Sequence, residues 1–411
     1  MTENGSLSNL KILDFTGVLG PYAGKLYAGV GADVIHIEPI TGDPLRNIGP
    51  FFKNIPGKDR SLQFLYYNAG KRGLALDINK DEGKDIFLKL CQSADLLLES
   101  FDAGVLNSMG LSFDVLSAVN PKLVQTSMTL FGATGPYANY PGSDLTCSAL
   151  SGFTYLAGDN NDKPVRAPDD QAYQTAGAHA AVASGFALYF AKKTGIGQFV
   201  DIAAIESVAS AHENAAQFWD LEGVIRRSAF GTLAGGGLFK CKDGYIALVA
   251  AMGNKNKQMW DPFVRWMKEE GVEGWEAFDD EKWLDQNFRR ELKNYEIFCR
   301  IFEAYTMKHT KLELYEKGQF YKVATTPVSN GKDLVENPQL KATGFFQTVT
   351  HGYLKDDVTF PGAPYEFGEI QWRFGGPAPT LGQHTAEILL EVGYTQSEID
   401  AYAKEGTIYV G

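Results

Sequence analysis

No run of apolar residues in this 411-residue chain approaches the roughly 18–20 needed to cross a bilayer. The opening MTENGSLSNL has neither a basic start nor an apolar stretch, so no secretory leader is read from it. Basic charge is also in short supply. Lys and Arg number 38 against 50 Asp and Glu, leaving a formal net charge of −12 and a pI near 5.1. That balance argues against a nucleic-acid partner, yet a local cationic pocket for an anionic small molecule remains compatible with it. Only four cysteines occur (Cys91, Cys147, Cys241 and Cys299), far apart and without a CxxC pair, as expected of reduced core thiols. The six histidines form no HxxxH or HExxH spacing, so no metal site is expected. His179 and His212 fall in predicted helices and are expected in the core or at an interface. No GxGxxG follows the first predicted strand, so the dinucleotide fingerprint is missing. These absences predict a soluble, cytoplasmic protein with no membrane or nucleic-acid partner.

What is present is an alternation of short apolar runs and helical stretches. Lys11–Phe15, Ala32–Glu38, Gly73–Ile78, Asp95–Glu99 and Leu123–Thr129 read as strands. Pro21–Val30 and Asp81–Ala94 read as the helices between them, a βαβ pattern that predicts a largely parallel sheet. A glycine- and proline-rich stretch, Gly132–Ser143, predicts loops. A long helix rich in alanine and glycine is expected over Gln171–Lys192, then a strand over Phe199–Ile205 and a helix to Trp219. Near residue 235 the character changes. Lys242-Asp243-Gly244 centres a hairpin, and amphipathic segments follow over Gln258–Glu270 and Tyr295–Lys317. Pro338–Phe374 is expected to be extended and turn-rich, with short helices over Gln383–Leu390 and Gln396–Lys404.

The blocks LSNLKILDFTGVLGPYAGKLYAGVGADVIHIEPITGDPLRNIGP, NAGKRGLALDI, ADLLLESFDAGVLNSMGL, NPKLVQTSMTLFGATGPYA, KKTGIGQFVDIAAIESV, FKCKDGYIAL and GPAPTLGQHTAEILLEVGY occur in that order. Together they resemble the family III CoA-transferases, which include formyl-CoA transferase, carnitine CoA-transferase, bile-acid-induced CoA-transferases and acyl-CoA racemases. The resemblance implies an α/β chain with a Rossmann-like large domain from both termini (1–224 and 331–411). It also implies a smaller inserted α+β domain (225–330) and an interlocked dimer.

The resemblance further implies a chemistry that this chain lacks the residue to perform. In the family an aspartate attacks the donor thioester, giving a mixed anhydride and then an enzyme–CoA thioester that the acceptor acid resolves. In KPVRAPDDQAYQTAGAH, Tyr173 follows Ala172, nine residues after Pro164 and four before Gly177, at the aspartate's place. A phenol with an ordinary pKa near 10 is a poor nucleophile and forms no thioester intermediate. Asp169 and Asp170 are expected to cap the long helix; the other readings are that one of them acts as a relocated nucleophile, or that both are solvated loop acids. The family's CoA contacts carry over to Lys71, Arg72, Phe101 and Met109. Ser108 and Pro39 stand where relatives carry basic residues, and the loop Gly17–Pro21 is one residue shorter. Gly235-Gly236-Gly237 corresponds to a glycine loop that closes over the active site in relatives.

The expected function is therefore that of a CoA-transferase subunit without its own nucleophile, completed by a homologous catalytic subunit. Coenzyme A and acyl-CoA enter as substrates, and no metal is involved. The two-chain members that this chain most resembles move CoA from succinyl-CoA to benzylsuccinate, in toluene degradation. Two other readings stay open. One is a racemase-like enzyme using Tyr173, Asp170 or His179 as acid or base, and the other is a non-catalytic acyl-CoA-binding scaffold.

Overall fold

A computed structural model describes residues 7–158, 163–212, 215–225, 233–370, 372 and 374–411. The chain divides into two compact units, one of Met1–Thr154, Arg166–Gln217 and Gln339–Gly411, the other of Tyr155–Val165 and Phe218–Pro338.

The first unit is built on a sheet of β1 (Lys11–Phe15), β2 (Asp33–Glu38), β3 (Arg72–Leu76), β4 (Leu96–Glu99), β5 (Val124–Thr129) and β6 (Phe199–Ala203). These six are parallel, in the order β3-β2-β1-β4-β5-β6. The C-terminal Ile408–Tyr409 adds an antiparallel edge strand beside β3. Side chains alternate across β1. Leu13 and Phe15 join the core formed by the helices Asp81–Cys91, Thr385–Glu391 and Gln396–Glu405, while Ile12 joins the opposite core, against Pro21–Gly29 and the long helix Gln171–Thr194. Both faces are covered, as the βαβ reading requires. Small residues let the long helix come close: Ala172, Ala176, Ala180, Ala187 and Ala191 are buried along one side. A Cβ at Gly177 would lie 3.1 Å from that of Tyr22 on the first helix.

The sequence reading differs from the structure in several places. Strand β6 ends at Ala203 and passes straight into the helix Ala204–Ser210, and a second helix, Ala215–Glu222, follows. The stretch expected as merely extended holds an antiparallel hairpin, Phe346–His351 with Asp356–Pro361.

In the second unit the predicted hairpin forms, pairing Gly236–Cys241 with Gly244–Val249, and Ala324–Pro327 adds a third strand. The single amphipathic segment expected over 295–317 is two helices, Leu292–Thr306 and Lys311–Tyr321. The break is local. Thr310 Oγ1 accepts from Glu313 N while the Glu313 carboxylate takes Thr310 N at 2.7 Å, a capping box that starts a new helix. An aromatic core of Trp260, Phe263, Phe278, Phe298 and Phe302 holds the unit together.

Candidate active site

Strand order places the site. From β1 the chain steps through β2 and β3 to one side, then returns to β4 on the other, so the loops after β1 and β4 diverge at the strands' C-terminal ends. Open α/β sheets bind ligands at such switch points. A cavity of about 390 Å³ lies there. Its walls come from Phe15 to Leu19 after β1, Pro39, Asp43 and Pro44 after β2, Ser100 to Asp102 after β4, and Met128 to Leu130 at the end of β5. Tyr173 completes it from the first turn of the long helix. The shortened Gly17 loop is tied across the switch point by Gly17 N donating to Ser100 Oγ at 3.0 Å.

The cavity is apolar with an acidic tint. Phe15, Leu19, Ile37, Phe101, Met128 and Leu130 line it, and among the described residues its only ionisable groups besides Tyr173 are Asp43 and Asp102. No Lys, Arg or His lines it among the described residues. Asp43 is buried, taking Leu45 N at 2.6 Å and lying 3.1 Å from His36 Nε2.

Tyr173 is half-buried, and burial above all, then the nearby Cys147, Asp144 and Asp170, pushes its phenol up to about 12. It is a protonated hydroxyl under any physiological condition. The turn carrying it is fixed by Asp144, a buried carboxylate on the helix Asp144–Leu150, whose Oδ1 accepts from Ala172 N at 2.7 Å and Tyr173 N at 3.1 Å. This corrects the expectation that Asp169 and Asp170 cap the long helix. Asp170 occupies the cap position without a side-chain cap bond, and the anion comes from a residue distant in sequence. Asp169 adopts a left-handed φ of 58°. Arg166 lies 3.6 Å from Asp170 and 3.9 Å from Asp144, and burial raises the Asp170 pKa. Neither Asp169 nor Asp170 lines the main cavity; Asp170 borders a small adjoining hollow with Tyr67 and Gln174, which shares Val18 and Tyr173 with the cavity. Cys147, beside Tyr173, is a protonated thiol, pushed up to about 11 by burial and Asp144. Replacing Tyr173 by phenylalanine should leave the steady-state rate of any CoA transfer that needs this chain within about twofold of wild type, because a neutral phenol supplies no nucleophile to lose.

The sequence-derived contact residues are scattered. Phe101 lines the cavity, edge-on to Phe15 with ring centres 4.8 Å apart. Met109 packs against the core beneath, around Leu13 and Phe15. Lys71 has no exposed side-chain surface. Its ammonium meets Asp14 Oδ2 at 2.5 Å, Asn68 Oδ1 at 3.0 Å and the Pro21 carbonyl at 3.2 Å. Arg72 points toward the strands' N-terminal side, bonded to Asp33, Glu387 and Glu391. Ser108 Oγ donates to its own helix at Val105 O, and Pro39 is an uncharged cavity wall. His179 stands on the exposed side of the long helix, and His212 stacks on Phe153 at 5.3 Å. Sequence reasoning missed Asp43 and Asp144, though each opens a helical turn within two residues of a glycine, Gly42 and Gly142, and that position is a recognisable signal.

The chain is 57% identical over 402 residues to the BbsE subunit of succinyl-CoA:(R)-benzylsuccinate CoA-transferase from Thauera aromatica, covering 98% of both chains. It is 30% identical to the succinate–glutarate CoA-transferase of Agrobacterium fabrum, covering 94% of this chain and 95% of the relative. A solved CaiB/BaiF family protein from Brucella suis superposes with a TM-score of 0.83 at 27% identity, covering 95% of this chain and all of that one. The model for CoA-transferase family III matches residues 7–385, and the chain is a member of that family.

Proposed function

We propose that this chain is the non-nucleophilic subunit of a CoA-transferase that moves CoA from succinyl-CoA to a carboxylic acid of the benzylsuccinate type, in the cytoplasm. A homologous chain provides the attacking aspartate. The carrying observation is Tyr173, a phenol pushed up to about 12 at the one helix turn that reaches both the cavity and the Asp144 anchor. Near-complete coverage of a relative named as a subunit of such an enzyme supports the reading. So does the apolar face of the long helix, where Val182, Phe186, Tyr189 and Phe190 stand 57%, 74%, 66% and 45% exposed. Apolar patches of that kind mark surfaces meant to be covered. The cavity in this chain suits an uncharged part of an acyl-CoA, with Phe101 as a wall and Met109 behind it. With no cation lining it among the described residues, phosphate and carboxylate recognition falls to groups elsewhere. A racemase-like reaction has less support, since Asp170 and His179 lie off the cavity.

The test is reconstitution. The purified chain, incubated with succinyl-CoA and benzylsuccinate, should exchange no CoA. Co-expression with a homologous chain that keeps the aspartate should restore transfer, with the acyl adduct mapping to the partner. Transfer by the chain alone, with an adduct on one of its own side chains, would refute the reading.

A further inference from the structure

The second unit holds a buried cation with no carboxylate bonded to it. Arg289, on the short helix Gln286–Arg290, is 1% exposed. Its Nη2 donates to the Gly253 carbonyl at 2.6 Å, and its Cζ lies 5.9 Å from the Trp260 ring centre. Nε and Nη1 are buried and have no acceptor among the described residues. The nearby Asp285 accepts from Asn287 N at 2.8 Å and forms no ion pair with Arg289, while Arg290 adds a like charge. A guanidinium left dry and half-bonded is costly, and proteins normally satisfy such groups with a ligand, an ion or a paired side chain.

A single turn links this guanidinium to an open hollow. Gly253, whose carbonyl covers Arg289, has φ +68°, and Lys255 two residues on has φ +56°. Asn254, Lys255, Lys257 and Asn287 line a hollow of about 530 Å³ on that turn, together with Glu281 and Asp285. Its acids are engaged. Glu281 bonds Lys257 at 3.0 Å, and Asp285 caps the helix. The exposed Lys255 ammonium has no ion-pair partner among the described residues. The turn thus carries a lysine without an ion pair at the hollow and covers a guanidinium with two unbonded nitrogens, among the described residues. Met252, Gly253, Asn254 and Lys255 are all exposed, so no packed layer lies outside the turn to hold it in place.

We propose that Arg289 and Lys255 form an anion site for a small dicarboxylate, reached when the Gly253 turn swings outward. One carboxylate takes the planar guanidinium donors and the other takes the lysine point charge. Two cations, one on the turn and one beneath it, favour a dianion over a monoanion, and the volume of the hollow favours a small molecule over a protein side chain. The inference stands apart from the proposed function, which the reconstitution assay tests separately.

Thermal melting of the full chain in sodium succinate, against sodium chloride of equal ionic strength and against acetate, reads this out. Succinate should raise the melting temperature in a saturable way, acetate much less. Arg289→Met should fold, since it removes an unpaired charge, and should weaken succinate binding at least about tenfold. Lys255→Ala, at an exposed position, should weaken it several-fold and serves as the deciding variant if Arg289→Met does not fold. No succinate response in the wild type, or an equal response in Arg289→Met or Lys255→Ala, overturns the proposal. A wild type that responds only to a bound partner chain, with Arg289→Met losing that gain, would assign the guanidinium to a protein carboxylate and also overturn it.

Discussion

Truncating Lys71 to alanine should bring the protein to the edge of unfolding, at a cost of about 3–5 kcal/mol. Lys71 and Asp14 are both without exposed side-chain surface, and the ammonium's three donors meet Asp14, Asn68 and the Pro21 carbonyl. Asp14 in turn takes Thr16 N and Thr16 Oγ1. Losing the lysine leaves a buried carboxylate without its counter-charge, and a domain has only about 5–15 kcal/mol in all. The first helix is shaped around this pair. A Cβ at Gly24 would fall 2.1 Å from Asp14 Oδ2, so only glycine fits there. Urea unfolding should show the single variant strongly destabilised and the double variant Asp14→Leu, Lys71→Met recovering much of the loss. A change below about 1 kcal/mol in Lys71→Ala would show that the pair is not the anchor its burial implies.

Asp144→Ala is the second large effect, expected at about 2–3 kcal/mol. The substitution removes a buried anion from two backbone N–H groups at the start of the long helix, where the partial positive charge of the helix end also favours it. Asp144→Asn should lose less, because its side-chain oxygen still accepts while its charge is gone. If this carboxylate also sets the cavity wall, Asp144→Ala should lower transfer in the assembled enzyme more than Tyr173→Phe does, because the whole turn shifts. Equal melting temperatures for wild type and Asp144→Ala would remove it from that role.

The sheet was legible because parallel strands buried on both sides read as continuous apolar runs, as Ile12-Leu13 and Leu96-Leu97-Leu98 do. The long helix was legible from its unbroken alanine-rich stretch. The hairpin Phe346–Pro361 was not, since its exposed residues Thr348, Thr350, Asp357 and Thr359 pair across the strands without an apolar alternation strong enough to stand out. At the site, Tyr173 could be placed from its neighbours in sequence, but its anchor could not. Asp144 is separated from it by 28 residues, and only the folded chain shows that the nearer acids, Asp169 and Asp170, leave the cap unbonded. The same limit applied to Lys71 and Arg72. The family resemblance implies a CoA contact at these two adjacent bases, yet one enters the core and the other is held by three carboxylates, Asp33, Glu387 and Glu391.

The bare aromatic face of the long helix carries a practical consequence for making this protein. With Phe186 and Tyr189 open to water, a surplus of free chain would be drawn to associate with whatever apolar surface it meets first. On the two-chain function proposed above, yield and solubility should therefore follow the ratio in which this chain and its mate are synthesised, and balanced production of the two becomes a requirement set by the exterior of one helix.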